Sequence, residues 1–146
     1  MQDPYDLNRF VTAQSAMYPQ VLAELQAGEK RSHWVWFIFP QIKGLGRSAQ
    51  SEFYGIGSLA EAQAYARHPV LGPRLEECTR LVLAVENRPI EQILGFPDDL
   101  KFRSSMTLFA RAVPENAVFS DALTKYFNGQ PDPRTLELSG PPHSMA

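Results

Sequence analysis

Ser32-His33-Trp34-Val35-Trp36-Phe37-Ile38-Phe39-Pro40 is the stretch on which the fold class turns. It has no polar face, so periodicity leaves it open between a buried strand and a short buried helix, and burial follows in either case. The two tryptophans separate the alternatives. On a strand Trp34 and Trp36 share a face, whereas on a helix they point about 200° apart, so that one of them can line a cleft.

Upstream, Leu7, Phe10, Val11 and Met17 fall close to the i, i+3, i+4 spacing that puts one apolar stripe on a helix, here over 6–17. Val21, Leu22 and Leu25 carry a stripe onward. Pro19 suits a first turn, so the pattern predicts a second helix over 18–27, with Gly28 available as its left-handed stop. Downstream, 41–57 holds four glycines and reads as a loop with one helical turn near 51–54. Ser58-Leu59-Ala60-Glu61 has capping-box spacing, in which hydroxyl and carboxylate each satisfy a free N–H of the first turn, and predicts a helix to about Arg67.

Pro69 or Pro73 opens a longer helix with a broad apolar face through Leu71, Leu75, Cys78, Leu81, Val82 and Val85, expected to be the central one. Pro89 starts a shorter segment stopping at Gly95, and Pro97-Asp98-Asp99 introduces a helix over 100–113. A further amphipathic stretch over 116–127 ends at Asn128-Gly129, and a last turn covers 133–138. The expectation is an all-α fold: one compact domain, residues 1–138, of about seven to eight short helices, followed by a flexible C-terminal tail over 139–146.

Composition agrees with this reading. The 146 residues are 44% apolar and 21% charged, as in one globular domain with a sizeable core. Fourteen basic residues against sixteen acidic ones leave a formal charge of −2, so no global field draws the chain to duplex nucleic acid or to an anionic membrane. The apolar run is far below the roughly 20 residues that cross a bilayer. Cys78, the single cysteine, lies on an apolar helical stripe and is expected to be an inert hydrophobe. The opening Met1-Gln2-Asp3-Pro4-Tyr5-Asp6 has neither the basic nor the apolar region of a secretory signal, and a cytoplasmic location is expected. His33, His68 and His143 are widely spaced and no His-x-x-x-His or Cys-x-x-Cys pair exists, so neither a metal nor a cofactor is expected.

Three polar clusters stand out in this apolar background. His33, Trp36 and Gln41 combine a titratable ring, an aromatic wall and an amide. Gly44-Leu45-Gly46-Arg47-Ser48 frees backbone N–H groups toward an anion, to which Arg47 adds a planar charge-assisted contact. It is neither a dinucleotide fingerprint nor a P-loop, since no strand precedes it and the third glycine is missing. On the helix after Asp98-Asp99, steps of three and four place Lys101, Ser104, Ser105 and Leu108 on one face, a cation beside two hydroxyls. Each cluster also has a plain structural reading, as core edge, turn, or capped and solvated helix.

Taken together, Lys30-Arg31-Ser32-His33-Trp34-Val35-Trp36-Phe37-Ile38-Phe39-Pro40-Gln41, Gly44-Leu45-Gly46-Arg47-Ser48, His68-Pro69-Val70-Leu71-Gly72-Pro73-Arg74-Leu75 and Asp98-Asp99-Leu100-Lys101-Phe102-Arg103-Ser104-Ser105-Met106-Thr107-Leu108-Phe109 resemble, in this order, a bacterial family catalogued as domain of unknown function 1810. The likeness runs from Tyr5 to Leu138. It implies a small all-helical fold and tips the aromatic segment toward helix. The label calpastatin sometimes attached to the family does not suit a folded, aromatic-rich chain, since that inhibitor is disordered. A more distant likeness, in size, helical class and a Lys-bearing later helix, is to the NAD- and ADP-ribose-associated superfamily, which includes hydrolases of N-glycosidic bonds.

Two functions follow as expectations. In one, a phosphorylated or nucleotide-like small molecule stacks on aromatic rings while Arg47 and Lys101 neutralise its charge, with Trp36, Gln41, Gly44, Gly46, Ser48, Ser104 and Ser105 in the binding set. Were N-glycosidic chemistry added, Glu52 and Asp98 would orient water and His33 would transfer the proton. In the other, the chain is a helical interaction module that binds a protein or a second copy of itself through an apolar patch. Convergence of the three clusters on one pocket discriminates between them.

Overall fold

The computed structural model describes residues 3–140. Nine helices and no strand occur among them: α1 (Asn8–Gln26), α2 (Val35–Ile38), α3 (Ala49–Phe53), α4 (Leu59–Arg67), α5 (Leu71–Ala84), α6 (Ile90–Ile93), α7 (Asp98–Ala112), α8 (Val118–Phe127) and α9 (Pro133–Leu138). The fold is all-α, as the hydrophobic periods predict. His143 and positions 141–146 of the expected tail lie outside the described residues.

The two N-terminal helices expected over 6–27 are one. α1 runs through Pro19, which removes an N–H from the helix interior at a cost of about 3 kcal/mol. It remains continuous because Phe10, Gln14, Val21 and Leu25 form a single buried stripe on both sides of the proline, and that burial outweighs the lost bond. The helix stops where its local signal places the end. Gly28 takes φ +75°, and the amides of Gly28 and Glu29 return to the carbonyls of Leu25 and Glu24.

The aromatic stretch forms a single buried helical turn, α2. Trp34, Val35, Phe37, Ile38 and Phe39 are buried, and Phe39 meets Phe102 of α7 edge to face at 4.8 Å. Gln14 secures α2 from α1, its amide donating to the Phe37 carbonyl at 2.7 Å and to the Tyr65 hydroxyl at 2.9 Å. Glu24, further along α1, secures the residues leading into α2. Its carboxylate accepts from the Trp34 indole, both amide and hydroxyl of Ser32, the Arg31 amide and Gln20.

The central helix is α7, not the predicted 71–85 segment. Residues 104–109 are buried on every side of α7, which packs against α2, α4, α6, α8 and α9. Its polar residues Ser104, Ser105 and Thr107 hide that burial from a hydrophobic pattern, whereas the clean amphipathic stripe of α5 belongs to a helix with one side in solvent. The loop over 41–57 closes on itself through Ile42 and Ile56, with the Lys43 amide donating to the Ile56 carbonyl and the Ile56 amide to the Gln41 carbonyl. Ser58 caps α4 as its spacing predicts, but the Glu61 carboxylate accepts from Gly57 rather than from Ser58 and also pairs with Arg9 at 2.9 Å.

Candidate functional site

The loop over 41–51, α7 and the start of α9 enclose a cleft of about 370 Å³, within the roughly 300–1,000 Å³ of small-molecule sites. The loop contributes Gln41, Leu45, Gly46 and Ser51; α7 and the residue before it contribute Pro97, Leu100, Lys101, Arg103 and Ser104; α9 and its cap contribute Asp132 and Arg134. α9 is held there by Arg103, which donates to the carbonyls of Gln130 and Pro131 at 2.9 and 3.0 Å, and by Thr107, which accepts from the Asp132 amide.

Charge in the cleft is unbalanced toward the positive. Asp132 is committed to the start of α9, accepting from the Thr135 amide and hydroxyl. Lys101 Nζ lies 3.5 Å from Asp98, but Asp98 is gripped more closely by the buried Lys30 at 2.7 Å. Arg134 touches Glu137 only at 3.9 Å with both side chains exposed, and Arg103 forms no ion pair among the described residues. Three cations therefore face a space holding one carboxylate already committed elsewhere.

Lys101 Nζ also sits 4.7 Å from the centre of the Trp36 ring, a cation–π contact that fixes the ammonium at the cleft wall. Trp34 and Trp36 diverge as two residues of a helical segment must: Trp34 is fully buried and Trp36 half-buried. The Trp36 indole N–H is buried without a partner, and Trp36 borders a void of about 10 Å³ together with Gln41, Ser51 and Tyr54.

The three clusters read from sequence each send members here. Trp36 and Gln41, Gly46, and Lys101 with Ser104 come together around this cleft. The remaining members go elsewhere. His33 is exposed ahead of Trp34 and does not line the cleft; Arg47 is exposed; Gly44 packs against Leu138; and Ser48 accepts from the Ser51 amide as the cap of α3. Ser105 is fully buried with no partner for its hydroxyl, one residue past the face that Ser104 shares with Lys101. Glu52 borders a different depression, beside Arg9 and Lys43. Asp98 stands behind Lys101, while neighbouring Asp99 turns inward, where burial pushes its carboxyl above the ordinary range and Oδ1 has no partner.

Arg103, Arg134, Ser51 and Asp132 were not among the sequence candidates. Arg103 reads as a solvated cation on its own helix, and Arg134 reaches the cleft only because α9 folds back onto α7, a contact with no local signal.

Residues 4–139 match the family model described as Protein of unknown function (DUF1810). The chain belongs to this family. A similar solved structure, that of the conserved hypothetical protein Rv1873 from Mycobacterium tuberculosis, is 58% identical, with a TM-score of 0.92 over 93% of this chain and 97% of that one. No curated protein matches. The DUF1810 name states no ligand and no reaction, so function must be argued from the site.

Proposed function

We propose that the cleft between the 41–51 loop, α7 and α9 binds an anionic small molecule, phosphorylated or nucleotide-like. The observation that carries this reading is the meeting of Lys101, Arg103 and Arg134 on one concave surface whose lining holds a single carboxylate, Asp132. Gln41, Ser51 and Ser104 supply neutral donors and acceptors around the charges, and the half-buried Trp36 offers an aromatic edge behind Lys101. Hydrolysis of an N-glycosidic bond in an ADP-ribose-type ligand would further need a carboxylate free to orient water. Asp132 and Asp98 are both engaged, and this favours binding over turnover.

Trp36 is also the reporter, because Trp34 is sealed in the core by Glu24. Intrinsic fluorescence titrated with ribose 5-phosphate, AMP and ADP-ribose, against uncharged ribose and adenosine, is expected to respond to the anions only. Lys101→Ala and Arg134→Ala should each weaken binding by about 1.5–3 kcal/mol, the scale of a hydrogen bond to a charge. Unaltered affinity in both variants, or equal response to adenosine and AMP, would sink the reading.

A second reading rests on Phe96, 78% exposed and just ahead of α7, and Leu100, 48% exposed in its first turn. An interaction module would bury them against a partner or a second copy. Sedimentation equilibrium of the wild type and Phe96→Ser distinguishes this: a dimer abolished by the substitution supports it, and a monomer at all concentrations removes self-association.

A further inference from the structure

The largest concavity among those described shares no residue with the cleft. It is a groove of about 880 Å³ between the end of α4, the outer side of α5 and the α7–α8 connection. Its floor is apolar, formed by Leu75, Leu81, Val113 and Phe119. Most of its polar groups are satisfied within the protein. Glu76 accepts from Arg80 and Asn116, and Glu77 from the Tyr18 hydroxyl.

Two groups where α4 meets α5 are left over. His68 Nδ1 accepts from the amides of Val70 and Leu71 at 3.0 and 3.2 Å, which leaves Nε2 as the ring nitrogen that can donate to a ligand. Arg67, exposed beside it, forms no ion pair among the described residues. Glu115, from the segment between α7 and α8, forms none either and opposes a second negative charge. We infer that this groove binds an amphipathic monocarboxylic acid, its apolar body over Leu75, Leu81, Val113 and Phe119 and its carboxylate at His68 Nε2 and Arg67. The inference is independent of what the cleft binds.

Decanoate is the probe, with decyltrimethylammonium as the charge-reversed control, titrated by calorimetry and mapped by amide chemical shifts. Decanoate is expected to bind saturably with a negative heat-capacity change, its shifts confined to 66–81 and 113–119. Arg67→Ala should weaken it about fivefold, and Leu81→Glu, which puts a charge on the floor, about tenfold or more. Arg67→Ala changes an exposed side chain and keeps the test decisive should Leu81→Glu fail to fold. The assignment is overturned if decanoate does not bind saturably, if the cation binds as tightly, if the shifts fall outside both segments, or if Arg67→Ala leaves affinity unchanged.

Discussion

Glu24 and Asp99 are both buried carboxylates, and they act on stability with opposite signs. Burial alone would raise the Glu24 pKa, but its five donors outweigh that and hold the carboxyl well below the ordinary range. A depressed folded pKa contributes stability that is present above the unfolded value of about 4.3 and is lost as pH falls through the folded value. Glu24→Ala strands the Trp34 indole and two amides, and should cost roughly 3 kcal/mol at neutral pH in chemical denaturation. Below about pH 4.3 that penalty should shrink as Glu24 protonates in the unfolded chain, and it is fully lost only once pH falls through the depressed folded value. Asp99 runs the other way: desolvation, with Glu91 and Asp98 adding repulsion, raises its folded pKa, so its penalty grows as pH rises above the unfolded value of about 3.9. Asp99→Asn should therefore raise the melting temperature at pH 7 and leave it nearly unchanged at pH 3. A gain of equal size at both values would show that packing, not charge, governs the site. Cys78 is silent at this scale, since burial pushes its thiol up to about 12, consistent with the inert role expected from its apolar stripe.

Elements are set by their ends and by how closely they approach one another. At Gly72 a Cβ would stand 2.2 Å from the Ala66 carbonyl oxygen, so the absence of a side chain lets the start of α5 lie against the end of α4. Gly72→Ala must move backbone rather than a flexible side-chain tip and should destabilise by about 1–3 kcal/mol, read from the denaturant midpoint. Pro19 is the reverse case, an exposed position where the present residue weakens its own helix. Pro19→Ala restores an N–H to α1 and should stabilise by about 1–2 kcal/mol, seen as a raised melting temperature with unchanged helical content. Caps were legible in advance because they are local: Ser58 bonds three residues ahead, and Gly28 and Asn128 take positive φ just beyond a helix end. The join across Pro19 was not legible, because proline's penalty is local whereas the burial that overrides it comes from partners far along the chain.

Across the whole molecule α7 is the shared partner of five helices, so none of those five can leave without exposing it. Circular dichroism and Trp fluorescence should report one coincident thermal transition, and separated midpoints would reveal an independently melting part. By itself the sequence determined the all-helical class, most helix ends, burial of the aromatic segment and burial of Cys78 on an apolar stripe, since each follows from residue spacing within a turn or two. It also marked Trp36, Gln41, Gly46, Lys101 and Ser104 as polar exceptions in an apolar background. Only the tertiary structure decided that Gln41, Gly46, Lys101 and Ser104 line one cleft, with Trp36 against Lys101, while His33, Arg47, Glu52 and Ser105 do not, and that Arg103 and Arg134 join them. Which side of a helix faces a cleft, and which helix folds back to close it, depends on packing between segments distant in sequence, and no local period records that.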